Sequence, residues 1–159
     1  MRFVVVTLES KFVQEIDYLQ PMKMHTTNYK NTFIEVAEDC PVSVAEIPPV
    51  KRNKTLANIQ LEMVLENPYK YTSDEVLFEC FAIKNEIGKD ERDEARRNFF
   101  SKGQPCFRSS ALGKRYGFGV HSDAEGKIAF FPVESEEYQN FLKDDSVKKV
   151  KAMRTKRAK

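Results

Sequence analysis

The chain has no apolar run approaching the roughly 18 residues needed to cross a bilayer, which excludes a membrane-spanning helix of ordinary build. Its opening stretch Arg2–Leu8 (RFVVVTL) is followed at once by Glu9, Lys11, Glu15 and Asp17, so no secretory signal is expected. Cysteine is scarce: Cys40, Cys80 and Cys106 are odd in number, far apart and without a C-x-x-C pair. That excludes a disulfide framework and a cysteine zinc site, and it points to thiols kept reduced in the cytoplasm. The two histidines, His25 and His121, are too sparse for a metal site, so no metal is expected. Net charge is nearly absent at +2, from 26 basic and 24 acidic residues. Among the six glycines, Gly117-Phe118-Gly119 precedes a strand, lacks a third glycine and opens no helix. A dinucleotide fingerprint is thereby excluded, and no cofactor is expected. Those glycines suit close backbone approach or a bulge beneath Tyr116 and Phe118.

What is present suits one soluble globular domain: 159 residues, 41% hydrophobic, with 11% aromatics. A chain of this size removes roughly 69% of its extended surface from water, enough for a core without staples. Asn31–Ala37 (NTFIEVA) alternates and is β-branched, which predicts a strand. Pro41–Pro49 (PVSVAEIPP) reads as an extended connector. Leu56, Ile59, Met63 and Val64 predict a helix over 54–66 that Asn67-Pro68 stops. Thr72 and Glu75 have capping-box spacing and open a second helix over 73–86. Its inward stripe is Val76, Leu77, Cys80, Phe81, Ile83 and Ile87, with Gly88 as the stop, which makes Cys80 inert core. A third, strongly charged helix runs from Asp90 to Lys102, docking through Ala95, Phe99 and Phe100. Gly117–Ser122 and Lys127–Val133 flank Asp123-Ala124-Glu125-Gly126 as a β-hairpin. A short helix over 135–142 and a final strand over 147–153 complete the chain. No internal repeat is visible. The fold class expected is α+β: a single compact domain with an antiparallel sheet, its C-terminal hairpin packed on three to four helices.

The ends differ from this body. Residues 1–23 read as an N-terminal extension, a strand-plus-helix in which Ser10–Gln20 is helical, ahead of an α+β domain over 24–147. Met22 and Met24 are candidate translation starts, and intact mass of the natively expressed protein decides between them and Met1. Residues 148–159 (KKVKAMRTKRAK) form a basic strand and tail with seven cations and no acid. The whole chain carries +2, so removing those seven charges leaves −5 for residues 1–147. The tail can meet nucleic-acid phosphates, solvate the chain end, or fold back on the acidic body.

Five ordered blocks carry a resemblance: Thr26–Pro41, Asn67–Glu75, Phe99–Ser110 (FFSKGQPCFRSS), Lys114–His121 (KRYGFGVH) and Lys151–Arg157. They resemble a bacterial family, the domain-of-unknown-function family six-one-five-seven, over His25 to Lys159. Phe118 stands where that family carries tryptophan, and residues 1–23 lie outside the match. The resemblance implies no activity.

The densest polar constellation is Ser101–Tyr116 with Gly117, Gly119 and His121. The lead expectation is a small cytoplasmic protein that binds an anionic ligand or partner through Arg108, Ser109, Lys114, Arg115, Tyr116 and His121. Lys102 and Ser110 extend this patch, and Arg108 and Arg115 suit bidentate contact with phosphate or carboxylate. A rival is a thiol-dependent enzyme, in which a cation such as Arg108 lowers the Cys106 thiol and His121, fifteen residues on, acts as base. A third is nucleic-acid binding through Lys148–Lys159, the less favoured partner because no helix-turn-helix or RNA-recognition signature accompanies it.

Overall fold

Two threonines set where the first helices begin. The computed structural model describes residues 23–157, so the expectations for Arg2–Leu8 and Ser10–Gln20 lie outside the described residues. Thr55 caps helix α1 (Leu56–Glu66): its hydroxyl accepts from the Asn58 N–H, and the Asn58 side chain accepts from the Thr55 N–H. Thr72 and Glu75 do the same for α2 (Ser73–Lys84), as their spacing predicts. The positive backbone angle that ends α2 falls on Glu86, at φ 51°, whereas Gly88 has an ordinary φ of −70°. A short 3₁₀ turn, Lys89–Glu91, leads into α3 (Arg92–Phe100), and a second one, Phe107–Ser109, precedes the four-residue α4 (Ala111–Lys114).

Strands β1 (Thr32–Glu35), β2 (Phe118–Ser122), β3 (Ile128–Pro132) and β4 (Lys148–Lys151) form one sheet in the order β3-β2-β1-β4. The hairpin is as expected: Gly126 takes φ +82°, and Asp123 Oδ1 accepts from the Glu125 and Lys127 N–H groups at 2.9 Å. β1 pairs antiparallel with β2 but parallel with β4, so the sheet is mixed. The parallel pair follows from the crossover through α5 (Glu136–Lys143), which lets the chain return in the same direction beside β1.

Alternation along the strands divides the core. Ile34, Phe118, Val120, Ile128 and Phe130 face α1, α2 and α4, where they meet Leu61, Val64, Val76 and Leu112. Phe33 faces the other way, into Tyr138, Phe141 and Leu142 of α5. The fold is thus α+β, with helices on both faces of the sheet. Helix α3 adds a satellite on α2, built from Phe78, Ala82 and Phe100. Arg92 pairs with Glu79, and both Arg92 and Arg96 lie over the Phe78 ring.

Each sheet edge is covered at one end. On β3, Tyr69 N donates to Ile128 O and Ile128 N to Tyr71 O, each at 2.9 Å, and Pro132 offers no N–H. On β4, Arg108 Nε donates to Lys151 O at 2.8 Å and Met153 N donates to Arg108 O at 2.7 Å.

Candidate ligand-binding cleft

Helix α1 is buried through Ala57, Asn58, Gln60, Leu61 and Val64; of the expected stripe Leu56, Ile59, Met63 and Val64, Val64 is in the core, Ile59 and Met63 are partly buried against it, and Leu56 is turned out. Leu56 is therefore left half exposed, on the rim of a cleft of about 670 Å³. One wall is α1 with Leu56, Ala57 and Gln60. A second is α2 with Leu77, Cys80, Phe81 and Lys84, and the third is residues 104–111, with Phe99 closing one end. The lining is mostly carbon, and Lys84 is its one charged side chain among the described residues.

Several lining groups have defined polar surroundings: Asn85 Nδ2 donates to Phe81 O at 2.8 Å, Gln104 Nε2 to Phe99 O at 2.7 Å and Ser109 Oγ to Met153 Sδ at 3.1 Å. Gln60 is buried; its Oε1 accepts from Ser110 Oγ at 3.2 Å, while Ser110 Oγ caps α4 by accepting from Leu112 N. Lys84 Nζ donates to Lys54 O at 2.6 Å, bridging the end of α2 to the start of α1. Cys106 is half-buried, and its Sγ lies 3.7 Å from the Tyr29 hydroxyl. Burial and that contact with Cys106 raise the Tyr29 phenol above its ordinary value, opposed by the nearby Arg108 guanidinium. The phenol therefore keeps its proton, and either group can donate in this contact. Burial pushes the Cys80 thiol up to about 12, which leaves it inert on the cleft wall, as its place on the inward stripe suggests.

The residues singled out in the sequence distribute unevenly around this cleft. Ser109 and Ser110 line it directly. Arg108 is committed to the β4 edge through Lys151 O. Lys114 and Arg115 end α4, with Arg115 exposed; Tyr116 packs on the core and its carbonyl accepts from Glu46 N at 2.9 Å. Lys102 is exposed just beyond α3. His121 stands apart. It pairs with Phe33 and Ala129 in the sheet and stacks on Phe141 of α5, with ring centroids 4.3 Å apart, on the face away from the cleft. The structure therefore does not bring Cys106 and His121 together, because adjacent strand residues point to opposite faces and β2 turns Val120, not His121, toward the cleft side. Sequence reasoning missed Tyr29, Gln60 and Lys84. Only Gln60 left a signal, as an amide on the buried side of an amphipathic helix.

His121 Nδ1 lies 2.8 Å from the Tyr69 hydroxyl. Burial pushes Tyr69 up to about 12, so that hydroxyl keeps its proton, and the His121 tautomer sets which of the two groups donates. Burial also holds the imidazole below its ordinary 6.5, against the opposing pull of Asp123 and Asp144. A base with a depressed native pKa is protonated first in the unfolded chain. Stability is then full above pH 6.5 and falls as pH drops from 6.5 toward the native value. Melting temperatures between pH 7.5 and 5.5 should show this slope, and His121→Gln should flatten it.

The basic end is held by acid. Lys151 and Arg154 each reach Glu38 at 3.0 Å, and Asp39 accepts from the Thr155 and Lys156 N–H groups. These contacts, led by the Lys151 hydrogen bond, lower the Glu38 carboxyl; the Lys156 N–H leads the same effect on Asp39. Among the described residues the basic end thus folds back on acidic groups through Lys151, Arg154 and two backbone N–H groups, with its side chains largely exposed.

The arrangement defines a small α+β domain of mixed four-stranded sheet, open on one helical side as an apolar cleft. No helix among the described residues is long and apolar enough to cross a membrane. The chain belongs to the family of unknown function DUF6157, whose model matches residues 24–158. No curated protein and no solved structure matches it.

Proposed function

We propose that the protein is a binding module for a small ligand in the bacterial cytoplasm, and that the ligand occupies the cleft between α1, α2 and residues 104–111. The carrying observation is the cleft itself: about 670 Å³, lined by Leu56, Leu77, Phe81, Phe99 and Phe107 with few polar groups. Ligand sites are typically ~300–1,000 Å³ and carry this mixture of apolar wall and sparse polar anchors. The expected anion-binding loop supports the reading by supplying Ser109 and Ser110 to the cleft, while Lys84 supplies the cation. The three free cysteines support a reducing compartment. Thiol-and-imidazole chemistry forms no part of the reading, because Cys106 and His121 occupy opposite sides of the sheet.

The test uses N-phenyl-1-naphthylamine, an uncharged dye that brightens in apolar sites. The wild-type chain should give saturable enhancement. Leu77→Trp, which fills the cleft, and Leu56→Trp, which crowds its half-exposed rim, should each weaken binding about tenfold. Absence of enhancement, or equal binding by both folded variants, removes the proposal.

A further inference from the structure

We infer that the ligand is an amphipathic carboxylic acid, its apolar body in the cleft and its carboxylate read by Lys84 and Gln60. This rests on the cleft being the ligand site.

Charge makes the first part of the argument. The cleft wall holds one cation and no carboxylate, although 24 of the chain's residues are acidic. Lys84 has no acidic partner within 4.0 Å among the described residues; Lys54 beside it is paired with Glu62 at 2.7 Å. Its Nζ spends one N–H on Lys54 O, which fixes the ammonium at the rim and leaves two donors.

The second part is independent of that charge. Gln60 is only 7% exposed, and its amide orientation follows from the Ser110 hydroxyl. That hydroxyl accepts from Leu112 N and donates its own proton to Gln60 Oε1, which turns Nε2 away from Ser110. No described residue accepts from Nε2. No buried side-chain nitrogen or oxygen among the described residues is both sealed and unpartnered, so Nε2 retains access, and Gln60 gains that access as a lining residue of the cleft. A nearly buried amide thus offers free donors to the cavity.

The vacant groups at these two positions are donors, so the matching ligand group is a pure acceptor. An ionised carboxylate is one, with a single charge to match a single ammonium. A dianionic phosphate would leave charge uncompensated against an apolar wall.

Displacement of N-phenyl-1-naphthylamine by decanoate, decanol and decyl phosphate tests the assignment. Decanoate should displace the dye at about tenfold lower concentration than decanol, the size expected for a charge-assisted hydrogen bond joined to a partly exposed ion pair. In Lys84→Met, decanoate should fall to the level of decanol, the two being compared within the variant so that any change in dye binding cancels. Gln60→Leu should reduce the preference as well. Equal displacement by acid and alcohol, preference for the phosphate, or an undiminished acid preference in Lys84→Met overturns the inference and leaves the cleft reading intact. Failure of the dye to bind removes both.

Discussion

Replacing Gly119 with alanine should cost the fold about 3 kcal/mol, although the change adds one methyl group. Gly119 lies in β2, on the face turned toward α5. A Cβ there would fall 2.6 Å from Phe33 Cζ and 2.7 Å from Tyr138 Cε2. Neither ring has room to retreat. Phe33 is fully buried, packs edge-on to Tyr138 at 4.9 Å and stacks on Phe141 at the same distance. Tyr138 is held by its hydroxyl, which accepts from Val36 N at 2.9 Å. Relief requires the α5 layer to lift from the sheet. Denaturant unfolding of Gly119→Ala should show a lower midpoint with an unchanged slope, and the melting temperature should fall by about 6–12 °C. Phe33→Leu removes the clashing ring tip, so the double variant should be less destabilised than the two singles summed. A loss under about 1 kcal/mol in Gly119→Ala would mean that the α5 layer yields readily.

The other large effect belongs to Asp74. Its carboxylate accepts from Thr26 Oγ1, Thr27 N and Thr27 Oγ1, each at 2.7 Å, while its own N–H donates to Asn28 Oδ1 at 2.9 Å. Thr27 Oγ1 also meets Ser73 Oγ at 2.8 Å. This network fastens residues 26–28 to the first turn of α2, where a carboxylate also complements the helix dipole. Asp74→Ala should cost about 3 kcal/mol, because it strands the buried Thr27 N–H as well as removing three bonds to a carboxylate. Asp74→Asn keeps the shape and an acceptor oxygen and should cost about half as much. Hydrogen exchange at Thr27 and Tyr29 should rise in Asp74→Ala before global unfolding. Since Tyr29 contacts Cys106, the same variant should also speed alkylation of that thiol. Unchanged exchange and alkylation would show that residues 26–29 are held by other contacts, such as the 2.8 Å bond from His25 N to Phe100 O.

Much of the fold was legible because local physics decides it. The Thr72–Glu75 capping box, the Asn67-Pro68 stop and the Asp123–Gly126 turn each act within a few residues, and each appears where its chemistry requires. The α1 stripe holds at Val64, Ile59 and Met63 but fails at Leu56, for a related reason. Leu56 and Met63 suit a helix, but which side is buried depends on where α2, α4 and β3 lie. Gln60 is accordingly buried although it is polar, and Leu56 is exposed although it is not.

The candidate site was less legible. Arg108 reads as an anion ligand by residue type, and its Nε also ties it to Lys151 O, more than forty residues away in sequence. Cys106 and His121 were close enough in sequence to meet, and alternation about Val120 placed them on opposite faces. Both faces of β2 are covered by helices, so hydrophobicity along that strand does not reveal which side each residue takes.

Helix starts, turn chemistry, the α+β class and a near-neutral chain with a basic end were therefore determined by the sequence alone, since each depends on neighbours or on composition. Tertiary structure alone decided the parallel seat of β4, the folding of the basic end onto Glu38 and Asp39, and the cleft that gathers Gln60, Lys84 and Cys106. Those features arise where segments distant in the chain meet, and no short-range signal specifies which unpaired donor or apolar rim is left over after they pack.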